Sequence, residues 1–183
     1  KPNTKSWGYV QLANVVESIR KMKQVNYTIY GFGDDLDLHI SRNDEWGSVA
    51  YLSQSKYGKY GNPNYTGVDK EIAINNCQNY ITGIGGDTVD ATKSEITCTT
   101  NTYETLKGQA ASTTGNIAGI YDMVGGSSDY VMGNYNNNIN NAGFGSMPEG
   151  KYYNLYTTTD PATACSGSLC YGHALSETAN WYK

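Results

Sequence analysis

Apolar positions recur with helical spacing twice along the chain. Leu12, Val15, Val16, Ile19 and Met22 fall at i, i+3, i+4, i+7 and i+10. That single stripe predicts a core-facing helix, and Arg20, Lys21 and Lys23 suit its C-terminal end. Asn43 or Asp44, either a good N-cap, opens a second helix with Trp46, Val49, Ala50 and Ser53 on one face, ending at Gly58. Lys1 to Gly8 reads as an extended entry anchored by Trp7. Ile72 and Ile74 predict a short strand. The densest apolar run, from Ile117 through Ile120, Met123 and Val124 to Tyr130 and Val131, predicts core strand or turn broken at Gly125-Gly126. Three stretches predict loop: Tyr57 to Gly67, the Gly/Thr/Ser-rich residues 82–115, and the Asn-rich run Asn136 to Asn141. No internal repeat of useful period is present.

The 183 residues and 20.0 kDa suit one domain with one core. Hydrophobic residues at 38% and charged residues at 16% are both low, but Tyr 17 and Gly 21 against Phe 2 describe a folded, loop-rich chain. No apolar run approaches the ~20 residues of a membrane span, so this segment is not expected to contact a membrane. Thirteen basic and 17 acidic residues are scattered, giving −4. A nucleic-acid groove needs clustered Lys and Arg, so nucleic acid is excluded as an expected partner.

Four cysteines, Cys77, Cys98, Cys165 and Cys170, form no CxxC pair, and His39 and His173 do not complete a zinc set with them. Sequence order suggests Cys77–Cys98 and Cys165–Cys170 disulfides, although four cysteines allow three connectivities. Such bridges would place the chain outside the cytoplasm. The alternative is four buried thiols. Asn26-Tyr27-Thr28 and Asn64-Tyr65-Thr66 match the glycosylation sequon, a pattern that arises by chance in so Asn- and Thr-rich a chain.

Catalytic sets are sparse. Asp34-Asp35-Leu36-Asp37-Leu38-His39 carries carboxylates suited to calcium but lacks the central Gly and closing Glu of an EF-hand. A solvated loop is expected there. No cofactor is expected, a structural calcium being the one ion the carboxylates leave open. His173, Ser176 and Glu177 sit too close in one loop to build a triad with an oxyanion hole. Gly31-Phe32-Gly33 lacks the third glycine of a dinucleotide loop. Asp122 and Asp129 could be read as paired carboxylates. No catalytic residue and no metal ligand is therefore assigned.

Two segments carry a resemblance. Asn43-Asp44-Glu45-Trp46-Gly47-Ser48-Val49-Ala50-Tyr51-Leu52 and Gly115-Asn116-Ile117-Ala118-Gly119-Ile120-Tyr121-Asp122-Met123-Val124-Gly125-Gly126 resemble the helix motif and the G-N-x-x-G-x-Y-D-M-x-G-N segment of the formylglycine-generating-enzyme (sulfatase-modifying factor) superfamily. With Lys1 to Trp7, Glu45 to Gly58 and Ala111 to Gly126, the chain looks still more like gut-bacterial surface proteins that have pilin-like N-termini and C-type-lectin-like heads.

The resemblance implies an α+β, C-type-lectin-like fold with two helices, small antiparallel sheets and many loops. It implies family-motif roles for Glu45, Trp46, Gly115, Asn116, Tyr121, Asp122, Met123 and Gly125, with Asp122 a structural turn residue. It implies that the chain is the middle of such a domain, with flanking segments belonging before Lys1 and after Lys183. Ser127-Ser128-Asp129-Tyr130 stands where the family often has A-W-E-Y, so local packing must differ. The copper-holding cysteines of the oxidases would lie beyond Lys183, and Cys165 and Cys170 are read as a structural disulfide.

The expected function is a non-catalytic extracellular recognition or display domain on a bacterial surface. It would bind a protein or glycan through Tyr- and Asn-rich loops such as Tyr135, Asn136, Asn137, Asn138, Tyr152 and Tyr153, the residue types that antibody loops favour. The alternatives are a subunit of a pilus-like filament, touching filament neighbours or a completing chain, and an oxidase with its copper site past Lys183.

Overall fold

The computed structural model describes residues 2–25, 35–86, 100–127, 129–135 and 142–156. The class is mixed helix and strand, with three α-helices and a two-stranded sheet among the described residues. The described chain gathers into two compact units, one from residues 2–8 and 47–127, the other from 9–46 and 129–156. No helix among the described residues is long and apolar enough to cross a membrane.

The second of these units opens with helix α1, Leu12–Val25, where the apolar stripe predicts it. Leu12, Val15, Val16, Ile19 and Met22 are all half-buried. A Glu17–Lys21 pair at 3.6 Å lies on the exposed face, where such a contact adds little. Helix α2, Asn43–Ser53, follows. Its start is held by Glu45, whose Oε2 accepts the Arg42 N–H at 2.8 Å, the reciprocal half of a capping box. Asn43 is fully buried as the first helical residue rather than acting as an exposed cap. Trp46, at 6% exposure, donates its indole N–H to Asp129 Oδ2 at 3.1 Å. That bond gives the buried ring's polar edge a partner.

Strands β1, Gly133–Tyr135, and β2, Asn154–Tyr156, pair in parallel with Gly133 opposite Asn154 and Tyr135 opposite Tyr156. This corrects the expected antiparallel pairing. A tight hairpin would reverse the chain and give an antiparallel pair, whereas a parallel pair needs a longer connection between its strands. Met132, 5% exposed, continues the frame by donating its N–H to Ser41 O and accepting from Asn154 N, each at 2.9 Å.

The other unit is mostly turns. Beyond the later part of α2 it holds α3, Leu106–Gln109, and 3-10 turns at Lys59–Gly61, Gly67–Lys70 and Gln78–Tyr80. Its core is small and partly polar: Ala50, Ile72, Ala73, Cys77, Ile84, Ala111 and Met123, with Ser53, Asn75 and Ser112 buried among them.

Several expectations change here. Helix α2 stops at Ser53, and turns with Gly58 N–H on Ser55 O replace the expected run to Gly58. Ile72 and Ala73 are buried, but no strand forms: Ala73 N bonds Ala110 O, Asn75 N bonds Val124 O and Gly86 N bonds Ile74 O, so the partners lie on different segments. Ile117, Ile120 and Tyr130 stay more than half exposed, because positive φ at Asp122, Gly125 and Gly126 turns the run repeatedly. Within 82–115, Thr105 caps α3 by accepting the Gly108 N–H. Trp7 is 60% exposed rather than the buried anchor expected. The entry segment is held instead by its backbone, Asn3 N on Thr82 O and Ser6 N on Tyr80 O.

Candidate functional site

The second unit contains a cleft of about 150 Å³. Helical spacing brings Val16, Ile19 and Arg20 of α1 to one wall at i, i+3 and i+4. Residues Asp37 to Ile40, the segment leading into α2, form a second wall. Met132, Pro148 and Tyr152 complete it, the last carried on a 3-10 turn at Gly150–Tyr152.

A polar chain runs from the cleft to the start of α2. His39 Nδ1 lies 3.1 Å from the Asp37 carbonyl oxygen, and Nε2 lies 3.1 Å from Glu45 Oε2. Both ring nitrogens thus face oxygen atoms, one on the backbone of Asp37 and one on the Glu45 carboxylate. Glu45 Oε1 accepts from Arg42 Nε at 3.2 Å. The Arg42 backbone N–H, with His39 and the Arg42 guanidinium, holds the Glu45 carboxyl below the usual carboxylate range against a partial burial cost. The Tyr152 ring sits 5.7 Å from the His39 ring, and Lys151 Nζ lies 4.6 Å over it.

The arrangement joins a cation, a carboxylate and an aromatic tip to an aliphatic floor. It can bind a small amphipathic group. His39 links the 37–40 segment to the start of α2 through Glu45.

In the other unit the residues of the segment from Gly115 to Gly126 build the turn itself. Asp122 has φ 64°, and its Oδ1 accepts from Asn75 Nδ2 at 2.6 Å while Oδ2 accepts from Gly83 N at 3.1 Å. Burial pushes its carboxyl up, partly offset by those two bonds. Asn116 Oδ1 accepts from Ala118 N at 2.9 Å, and Tyr121 donates to Asn116 O at 3.3 Å. Gly125 (φ +78°) lies so close to Asn75 that an added Cβ would fall 2.3 Å from its carbonyl oxygen. Asp129, in the unit that holds the cleft, accepts from the Trp46 indole N–H.

Sequence reasoning missed Lys59. It is 1% exposed, its ammonium bonds the Glu71 carbonyl oxygen, and it lies 4.6 Å over the Tyr65 ring. Desolvation pushes it down to about 8, against the raising effect of Asp69 and Glu71. Nothing in the local Tyr57-Gly58-Lys59-Tyr60 sequence marks a buried lysine.

Of the expected binding residues, Tyr152 lines the cleft and Tyr153 is half-buried. Tyr135 ends β1. Asn136, Asn137 and Asn138 lie outside the described residues, as do Cys98, Cys165, Cys170, His173, Ser176, Glu177, the Asn26 sequon and Gly31-Phe32-Gly33. Cys77 is disulfide-bonded and 5% exposed, so it offers no thiolate to Cu(I). No group of three or more His, Cys, Asp or Glu side chains among the described residues is placed to hold a metal ion. Nothing in the sequence marks Arg20, Leu38 and Ile40 as binding residues, because spacing along the chain carries no sign that α1 and residues 37–40 meet. Comparison with models of known families, with curated proteins and with solved structures finds no match.

Proposed function

We propose that the chain is a non-catalytic recognition or display domain of C-type-lectin-like, formylglycine-generating-enzyme-related type, carried on the outside of a bacterial cell. The observation that carries this reading is the cleft, where aliphatic side chains meet Arg20, Asp37 and Tyr152 while His39 is tied into the support of α2. The resemblance over Glu45 to Gly58 and Ala111 to Gly126 supports the family, and the Cys77 disulfide supports an oxidising compartment. The ligand is a protein or glycan. Displaying the protein against arrays of bacterial and host surface glycans and proteins tests this. Saturable binding that weakens in Tyr152→Ala is expected, and absence of any saturable binding refutes it.

A filament-subunit reading is favoured by one observation. Tyr51, Leu52 and Tyr57, at the end of α2 and in the turn after it, are 79%, 60% and 78% exposed. Such side chains suit burial against a neighbouring subunit. Ordered filaments in the native preparation, dispersed by Tyr51→Ser with Tyr57→Ser, would favour this reading. A monodisperse monomer at all concentrations would oppose it.

A further inference from the structure

The groups around the cleft are specific enough to name a ligand chemistry, and this step rests on the recognition reading above. The floor is aliphatic: Val16, Ile19, Leu38, Ile40, Met132 and Pro148. Its volume of about 150 Å³ limits the apolar part of a ligand. Cavities of that size take a group of about one six-membered ring.

Two charged groups stand at the same cleft. Arg20 is exposed and makes no ion pair with a described carboxylate, whereas Arg42 is engaged by Asp44 and Glu45. A guanidinium is suited to a planar carboxylate through two parallel N–H bonds. Asp37 remains 58% exposed, with one oxygen 3.9 Å from His39 Nδ1. It is an acceptor for an incoming N–H. A carboxylate, an N–H donor and a compact apolar group occur together on one carbon in an amino-acid residue at a chain end.

We infer that the cleft takes the α-carboxylate end of an apolar amino-acid residue. The side chain lies on the aliphatic floor, the carboxylate on Arg20, and the α-nitrogen donates to Asp37. The source is either a free amino acid or the last residue of a peptide.

The test uses the whole chain labelled with ¹³C at its methionine methyls, with Met132 assigned through Met132→Leu. Four probes are titrated: leucine, N-acetylglycyl-leucine, N-acetylglycyl-leucinamide and 4-methylpentanoate. A saturable shift of the Met132 methyl is expected with leucine or the acetylated dipeptide. The tighter of the two identifies the source. Loss of the carboxylate in the amide, and Arg20→Gln, should each weaken binding by about tenfold or more. The acid lacking an α-nitrogen should also bind more weakly, and Asp37→Asn should narrow that difference.

Equal binding of acid and amide, or wild-type affinity in Arg20→Gln, would overturn the assignment. So would 4-methylpentanoate matching leucine. If no probe moves Met132 while array ligands still bind in a Tyr152-dependent way, the assignment falls and the recognition reading stands. If the array also yields nothing, both fall.

Discussion

Lys59 offers the sharpest test of the structure. Burial pushes its ammonium down to about 8 in the folded protein, while a lysine in the unfolded chain stays near the ordinary value of 10.5. Above 10.5 both states are neutral at this position, and below 8 both are charged. Between those limits the unfolded chain binds the extra proton, so stability must rise with pH. The full difference is about 3 kcal/mol at ~1.4 kcal/mol per pH unit. Tyrosines complicate the upper end, because burial raises Tyr65 and Tyr121, whose stabilisation is lost as pH climbs past 10. The useful window is therefore pH 8 to 9.5, where Lys59 should contribute about 2 kcal/mol of rising stability.

The assay is urea unfolding with disulfides intact, read by tryptophan fluorescence at several pH values, for the native chain and Lys59→Met. Methionine keeps the bulk without the charge and leaves the Glu71 carbonyl without its ammonium donor. The variant's absolute stability combines removal of a buried charge with loss of that bond and of the Tyr65 contact, so its sign is less informative than its slope. The native chain should gain stability relative to Lys59→Met as pH rises through the window. Parallel curves for the two proteins would refute the placement of Lys59 in a dry, closed environment.

Gly115→Ala should destabilise by about 2 kcal/mol or more, since φ is +67° and the added Cβ would fall 2.4 Å from the Tyr65 ring; a thermal melt within 1 °C of the parent would contradict this. Ile84→Ala, at a fully buried site, should cost about 2–5 kcal/mol in urea unfolding, and a loss below half that would mean the site collapses or is wet. Glu45→Gln should weaken the start of α2 by about 1 kcal/mol. Because the Glu45 pKa is lowered on folding, the native stabilisation is present above the unfolded carboxylate value and fades as pH falls through the folded one. Glu45→Gln should lack that fading, and identical acid titrations of stability would argue against the His39–Glu45–Arg42 chain. Alkylation of the unreduced, denatured protein should leave Cys77 unlabelled, and its labelling would remove the support for an oxidising compartment.

The two long helices were legible because amphipathic spacing is a local property. Leu12 to Met22 and Trp46 to Ser53 declare their faces whatever surrounds them, and the buried Trp46 and Ala50 lie on the expected one. The structural part of Asp122 was legible only through its motif; its φ and its bonds to Asn75 and Gly83 supply the physical cause. The turn-rich unit was not readable in detail. Its order comes from single backbone bonds between distant segments, and such bonds leave no periodic mark on the side chains.

The order of residues by itself determined a folded, Tyr- and Gly-rich, weakly charged protein with two amphipathic helices and cysteines suited to disulfides. Tertiary structure alone decided that β1 and β2 run parallel, that Lys59 is buried against Tyr65, and that Arg20, Asp37 and Tyr152 share one cleft. The reason is the range of the interactions. Helical periodicity is set by neighbours three and four residues apart, while strand direction, desolvation of a lysine and closure of a cleft depend on which remote segments pack together.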